Sequence, residues 1–154
     1  PCKCGYLGDA SRACNKAPRC GEDYQAKLSG PLLDRIDLHI DVPAVPTLTA
    51  FSAHKAEASE VVAERVKQAR LKQISRNGII NANLAGDALL QAISQDGACK
   101  ELLEKSTKKF GLSMRGLTRV LRVSRTIADL AGEEAVLIAH ISEALAYRQR
   151  EARL

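Results

Sequence analysis

The apolar residues of this chain change rhythm along its length. Leu38, Ile40 and Val42 alternate with Asp37, His39 and Asp41, and a period of two predicts a half-buried strand. Just upstream, Pro31 suits a first helical position and Leu32 and Leu33 can anchor the turn. Residues 29–43 therefore read as a short helix-like piece stepping into a strand. Residues 1–28 are irregular, poor in apolar side chains and rich in Cys and Gly. Residues 44–55 read as a linker, because Pro43 and Pro46 oppose regular structure.

From about Glu57 the period becomes helical. Val61, Val62, Val66 and Ala69 recur at helical spacing, with Glu60, Glu64, Arg65 and Lys67 outside, Ser59 as a candidate N-cap and Asn77-Gly78 as the stop. Asn81 to Leu84 reads as a turn. Gly86 to Ile93 is a short helix with Leu89, Leu90 and Ile93 inward, and Asp96-Gly97 breaks it. Ala98 to Phe110 is a third helix, with Leu102 and Leu103 inward and Gly111 as its stop. Ser113 opens a long helix to about Leu130, whose buried stripe is Leu117, Val120, Leu121, Ile127, Ala128 and Leu130. Gly132 ends it, and a last helix runs from Ile138 to about Arg150 with Ile141, Leu145 and Tyr147. Five helices after one strand predict a mainly α chain built around a helical bundle.

Composition sharpens this picture in two ways. The chain has no Trp, two Phe and three Tyr at 45% hydrophobic residues, so its core must be aliphatic, which suits helices packed side by side. Few aromatics also argue against a base-stacking platform for single strands. The net charge of +5 permits a polyanionic partner without demanding one. No apolar run approaches the roughly 20 residues of a membrane span, and no signal peptide is visible, which points to a cytoplasmic protein. The 154 residues open on Pro1 and a cysteine cluster, as an excised piece of a longer protein would.

Three clusters carry candidate chemistry. Cys2, Cys4, Cys14 and Cys20 place four thiols within nineteen residues of a loop that has little else to hold it. Zinc binds four thiolates tetrahedrally and turns binding energy into folding energy. Gly5 lets the backbone wrap a metal, although Cys-x-Cys is a less common spacing than Cys-x-x-Cys, and free thiols are the alternative. Cys99 reads as an ordinary small residue, and neither His39 nor His54 is spaced as a ligand. Arg115, Arg119 and Arg122 share a narrow arc of the long helix, with Arg125 at its edge. Such like charges repel, so they face either salt and water or an anionic partner. Arg35, set between Asp34 and Asp37, is either a surface ion pair or a forked phosphate contact. His140 is assigned no role, and Arg148, Arg150 and Arg153 read as a solvated helix end complementing the helix dipole.

Leu32-Leu-Asp-Arg-Ile-Asp-Leu38 resembles the arginine-finger segment of helix-insert AAA+ ATPases, in which MCM helicases carry Leu-Leu-x-Arg-Phe-Asp-Leu. The longer Ser29–Pro43 string, with cysteines upstream, resembles the ComM/YifB family, the magnesium chelatase-like AAA+ proteins of bacteria. The resemblance covers nearly the whole chain and is most specific over 1–43 and 111–148. It implies a C-terminal helical lid of an AAA+ ATPase, in three parts. These are a zinc-binding Cys loop at 1–28, an arginine-finger segment, strand and linker at 29–55, and the lid at 56–154. Arg35 would reach the nucleotide of a neighbouring subunit, oriented by Asp34 and Asp37. Ser113-Met-Arg-Gly-Leu-Thr-Arg-Val-Leu-Arg is similar to the sensor-2 helix of MCM and magnesium chelatase, which places Arg115 on the γ-phosphate of ATP. Arg119 and Arg122 match no catalytic position.

The family resemblance implies a homo-oligomeric ring, of hexameric size, that moves DNA by ATP hydrolysis in natural transformation. The chain lacks the G-x-x-x-x-G-K-[ST] loop, so ATP and Mg²⁺ belong to the full-length protein and this piece alone should not hydrolyse ATP. Two alternatives remain at this level. One is the ATPase subunit of magnesium chelatase, against which the cysteine cluster argues. The other is a zinc-bearing module that binds nucleic acid or protein without ATP chemistry.

Overall fold

The computed structural model describes residues 2–6, 12–40, 42, 56–93 and 96–148. The 44–55 linker, His54, Arg150 and Arg153 lie outside the described residues. The chain divides into two compact units after Ile36. Among the described residues it forms seven α-helices and one 3₁₀ turn, and no strand.

The first unit contains α1 (Arg19–Gln25) and α2 (Gly30–Leu33). Ser29 caps α2, its hydroxyl accepting from the Leu32 N–H at 3.3 Å, and Pro31 sits in the first turn as its spacing suggests. Cys2 and Gly21 are the buried residues of this unit among those described. Tyr6, Tyr24, Leu28, Leu32 and Ile36 are exposed. Among its described residues, therefore, no apolar core holds the unit together, and the thiols converge instead.

The second unit begins at Asp37. The alternating segment does not form the predicted strand. Its apolar members are exposed, Ile40 at 65% and Val42 at 86%. A strand needs a ladder partner for its N–H and C=O groups, and no segment pairs with it as a strand among the described residues. Instead the His39 N–H donates to the Tyr147 carbonyl at 2.7 Å.

The rest is a helical bundle: α3 (Ser59–Asn77), a 3₁₀ turn (Asn81–Asn83), α4 (Gly86–Ala92), α5 (Gly97–Phe110), α6 (Met114–Ala131) and α7 (Ile138–Arg148). Helix α6 is the hub, packed against α3, α4, α7 and the 3₁₀ turn, while α5 packs on α7. Leu84, Leu89, Val120, Leu121, Val136 and Ile141 form the centre of an aliphatic core. Each contributes about 1.5–3 kcal/mol when fully buried. Cys99 is one of these small core residues, 1% exposed, and burial pushes its thiol up.

Several expected inward residues point to water. Val61, Val62 and Val66 are exposed because residues 59–68 of α3 all stand clear of the core, and Ala69 and Gln73 begin the buried face. Leu90 and Leu130 are also exposed. Each sits beside a residue that takes the buried position, Leu89 and Asp129 respectively. His140 is buried, and its Nδ1 accepts from the Leu137 N–H at 3.0 Å. A side chain in the first turn thus satisfies a donor at the start of α7. Arg148 is half-buried, its guanidinium lying over the side-chain-free Cα of Gly116, rather than being a solvated helix end.

Candidate functional site

The four N-terminal cysteines converge. Cys2 Sγ lies 3.2 Å from Cys4 Sγ, Cys4 Sγ lies 3.9 Å from Cys20 Sγ, and Cys14 Sγ lies 3.3 Å from Cys20 Sγ. The sulfurs of Cys2, Cys4 and Cys20 all fall within 4.8 Å of one another. Local structure makes this convergence. Gly5 adopts φ +81°, and its N–H closes a turn on the Cys2 carbonyl at 3.1 Å, which folds Cys2 and Cys4 back together. Cys20 is carried by α1, and its own N–H donates to the Lys16 carbonyl.

All five cysteines are free thiols. Sharing of protons splits the cluster. Donation from the Tyr6 backbone N–H, then from Cys2 and the Cys14 backbone, pushes Cys4 down to about 6. The hydrogen bond with Cys14, then burial and Cys4, pushes Cys20 up to about 12. A tetrahedral zinc with Zn–S bonds near 2.3 Å sets its sulfurs about 3.8 Å apart. The observed separations bracket that value, and four converging thiols are a donor set that fits zinc.

Arg35 follows α2 directly, and its side chain is exposed. Its backbone N–H donates to Leu32 at 3.0 Å and the next N–H to Leu33 at 3.1 Å, so the position is held by a turn. The expected orienting partner Asp37 is otherwise engaged. Its carboxylate accepts from Arg119 Nη1 on α6.

The four arginines of α6 are not one solvated stripe. Arg119 is paired with Asp37. Arg122 donates from Nε to the Leu84 carbonyl at 2.7 Å. Arg125 is 1% exposed and enters the core. Arg115 remains exposed, and no ion pair engages it among the described residues. It is the second residue of α6, in the first turn that Ser113 caps by accepting from the Gly116 N–H at 3.0 Å.

Arg125 belongs to a buried polar network that the arginine spacing did not reveal. Its Nη1 donates to the Glu134 carbonyl and its Nη2 to the Glu133 carbonyl, each at 2.7 Å, and Nη2 also reaches Asp129 at 2.9 Å. Asp129 further accepts from Arg76 at 2.7 and 2.9 Å and from Asn81 Nδ2 at 2.8 Å. Gln73 takes the Asn81 N–H at 3.0 Å. Burial pushes Asp129 up, but donation from Arg76 and Asn81 and the charge of Arg125 hold it below the ordinary aspartate value. Burial pushes the Arg125 guanidinium down, against the pull of Asp129. One signal for this network was present in sequence. Arg125 and Asp129 are four apart, and Arg125 lies next to Leu121 and Ala128 on the helical wheel.

Residues 56–148 match the family described as magnesium chelatase, subunit ChlI C-terminal, and residues 1–50 match magnesium chelatase, subunit ChlI. The chain belongs to the magnesium chelatase-like family. Its relatives in this family include competence protein ComM of Haemophilus influenzae, 42% identical over 144 residues. YifB of Escherichia coli is 35% identical over 144 residues, and YifB of Salmonella typhimurium 37% identical over 146. Each alignment takes in 93% of this chain and 28% of the relative, so the chain spans under a third of these proteins' length. Both family matches therefore share the chain between a cysteine-bearing portion with Arg35 and a helical portion with Arg115. No helix among the described residues is long and apolar enough to cross a membrane.

Proposed function

We propose that this chain supplies the C-terminal control elements of an AAA+ ATPase that moves DNA. Arg35 is the arginine finger acting on a neighbouring subunit's ATP, and Arg115 is the sensor-2 contact to the phosphates of the subunit's own ATP. The observation that carries the reading is the partition of the α6 arginines. Three are committed inside the protein, and the one at the sensor-2 position is left exposed. Exposed Arg35, held on a turn, has the matching character of a cation that reaches outward.

A finger that acts in trans needs a ring, so the working form is a homo-oligomer of hexameric size in the cytoplasm. ATP and Mg²⁺ bind elsewhere in the full-length protein. DNA as the substrate extends to this chain the competence named for the Haemophilus relative, and the net charge of +5 accords with it. Zn²⁺ held by Cys2, Cys4, Cys14 and Cys20 is structural here, closing a unit whose described residues bury little apolar surface.

The test is steady-state ATPase of the full-length protein with and without DNA. Arginine fingers are worth about 10³–10⁵ in rate where measured. Arg35→Ala should therefore abolish turnover in the ring while leaving folding and DNA binding intact. Wild-type turnover in that variant would refute the finger assignment.

A further inference from the structure

The four thiols of the first unit are not equivalent. Cys20 sits between two others, with Cys4 Sγ at 3.9 Å and Cys14 Sγ at 3.3 Å. Cys2 lies against Cys4 at 3.2 Å and is buried, whereas Cys4, Cys14 and Cys20 are each half-buried. Two pairs therefore stand close to bonding distance, Cys2 with Cys4 and Cys14 with Cys20. A disulfide needs its sulfurs about 2.0 Å apart, a little more than an ångström closer.

The chain favours the second pair. One residue separates Cys2 from Cys4, and the Gly5 N–H already folds them into a tight turn. A ring closed over so short and stiff a segment leaves the backbone little freedom to meet disulfide geometry. Five residues separate Cys14 from Cys20. The Ala17 N–H donates to the Cys14 carbonyl and the Cys20 N–H to the Lys16 carbonyl, each at 2.9 Å. Successive turns thus bring the two sulfurs together, and the Cys14 thiol donates to Cys20 Sγ. Both are partly open to a small solute, which buried Cys2 is not.

We infer that Cys14 and Cys20 form a reversible redox switch, driven by hydrogen peroxide, that expels zinc from the first unit. The inference rests on the zinc reading above. One thiolate of the pair attacks a peroxide oxygen, so that the O–O bond breaks, a sulfenic acid forms and hydroxide leaves. The other thiolate attacks that sulfur, so that the S–S bond forms, the S–O bond breaks and a second hydroxide leaves. The two sulfurs give up two electrons, the peroxide takes both, and two protons from solvent turn the hydroxides into water. Cys2 and Cys4 are then the thiols left in the cluster, two where a structural zinc site uses four ligands. The described residues of this unit bury little apolar surface, so loss of the metal removes its cross-link between the Cys2–Gly5 turn and α1. The unit loosened in this way is the one that carries Arg35.

The test treats reduced, zinc-loaded full-length protein with a molar excess of hydrogen peroxide. A chromogenic chelator measures released zinc, differential alkylation follows each cysteine, and peptide mass spectrometry without reduction identifies the bond. Zinc release should run in step with loss of the Cys14 and Cys20 thiols and with a Cys14–Cys20 disulfide. Dithiothreitol with fresh zinc should restore the starting state. Trypsin should cut after Lys16, Arg19 and Lys27 faster in the oxidised protein. Cys99→Ser should respond as the wild type does, since Cys99 is buried in the other unit.

Zinc retained in the presence of peroxide would overturn the switch while leaving the zinc site standing. So would a disulfide joining any other pair, or oxidation that dithiothreitol fails to reverse. Reduced protein that binds no zinc would overturn the zinc reading and this inference with it. No readout uses ATP turnover, so the outcome is independent of the ATPase assignment.

Discussion

Replacing Asp129 with alanine should remove a large share of the bundle's stability. Its side chain is 1% exposed and accepts four hydrogen bonds, two from Arg76, one from Arg125 and one from Asn81. Alanine takes the shared carboxylate from all of them, leaving Asn81 Nδ2 with Thr126, Arg76 Nη2 with the Asn81 side-chain oxygen and Arg125 with backbone carbonyls. Arg76 is 28% exposed on its side chain and recovers part of its hydration. Arg125 is 1% exposed and cannot, so a guanidinium stays buried with carbonyls but no counter-charge. Removing one partner of a buried ion pair costs about 3–5 kcal/mol. That is about a fifth or more of the roughly 5–15 kcal/mol that holds a typical domain folded. Urea unfolding followed by far-ultraviolet circular dichroism measures it. The pH dependence provides a second readout. Asp129 ionises below its ordinary value in the folded state, so its contribution is present above the unfolded pKa of about 3.9 and is lost as pH falls through the folded value. The wild type should weaken below about pH 4 by a component that Asp129→Ala lacks. A loss under about 1 kcal/mol, the ceiling for exposed pairs, would refute the buried-network argument.

Other consequences are simpler. Ser113→Ala removes the acceptor for the Gly116 N–H and should cost about 1 kcal/mol by urea midpoint, with no change in slope. Gly132→Ala places a side chain at φ +87° and should cost about 1–2 kcal/mol in the same assay, since L residues are strained there. Purified chain should carry one zinc, measured by elemental mass spectrometry. Chelation should raise the rapidly reacting thiols to four while buried Cys99 stays slow, and four reactive thiols before chelation would refute the zinc assignment.

Helix positions were legible because each is bracketed by local signals. Ser113 and Ser29 cap helices, and Gly78, Gly111 and Gly132 end them, within a residue or two of the expected bounds. Convergence of the four thiols was legible for a similar reason, since only a ligand or mutual packing could organise so apolar-poor a loop. Burial was less legible. The valines of α3 have the right spacing for a core face, but spacing does not tell how far along its length a helix is covered. Alternation at 38–42 signalled a strand, yet a strand also needs a partner elsewhere in the chain. Tertiary pairing was the least visible. Nothing near Asp37 announces that Arg119 will claim it, and nothing near Asn81 announces Asp129. Helix α1 was missed because its sequence, with three charged residues and a Cys, lacks any apolar period.

The Arg125 clamp also says how the helical portion must behave under load. One guanidinium grips the turn after α6 through two carbonyls and the helix itself through Asp129, while Arg76 and Asn81 pin α3 and the 3₁₀ turn to the same carboxylate. Hydrogen bonds of this kind have a short working range, so sliding one helix past another by an ångström would break several together. The bundle is consequently stiff in shear. A shear of α6 against α3 is therefore resisted at one shared carboxylate, and the turn after α6 moves with the helix that grips it.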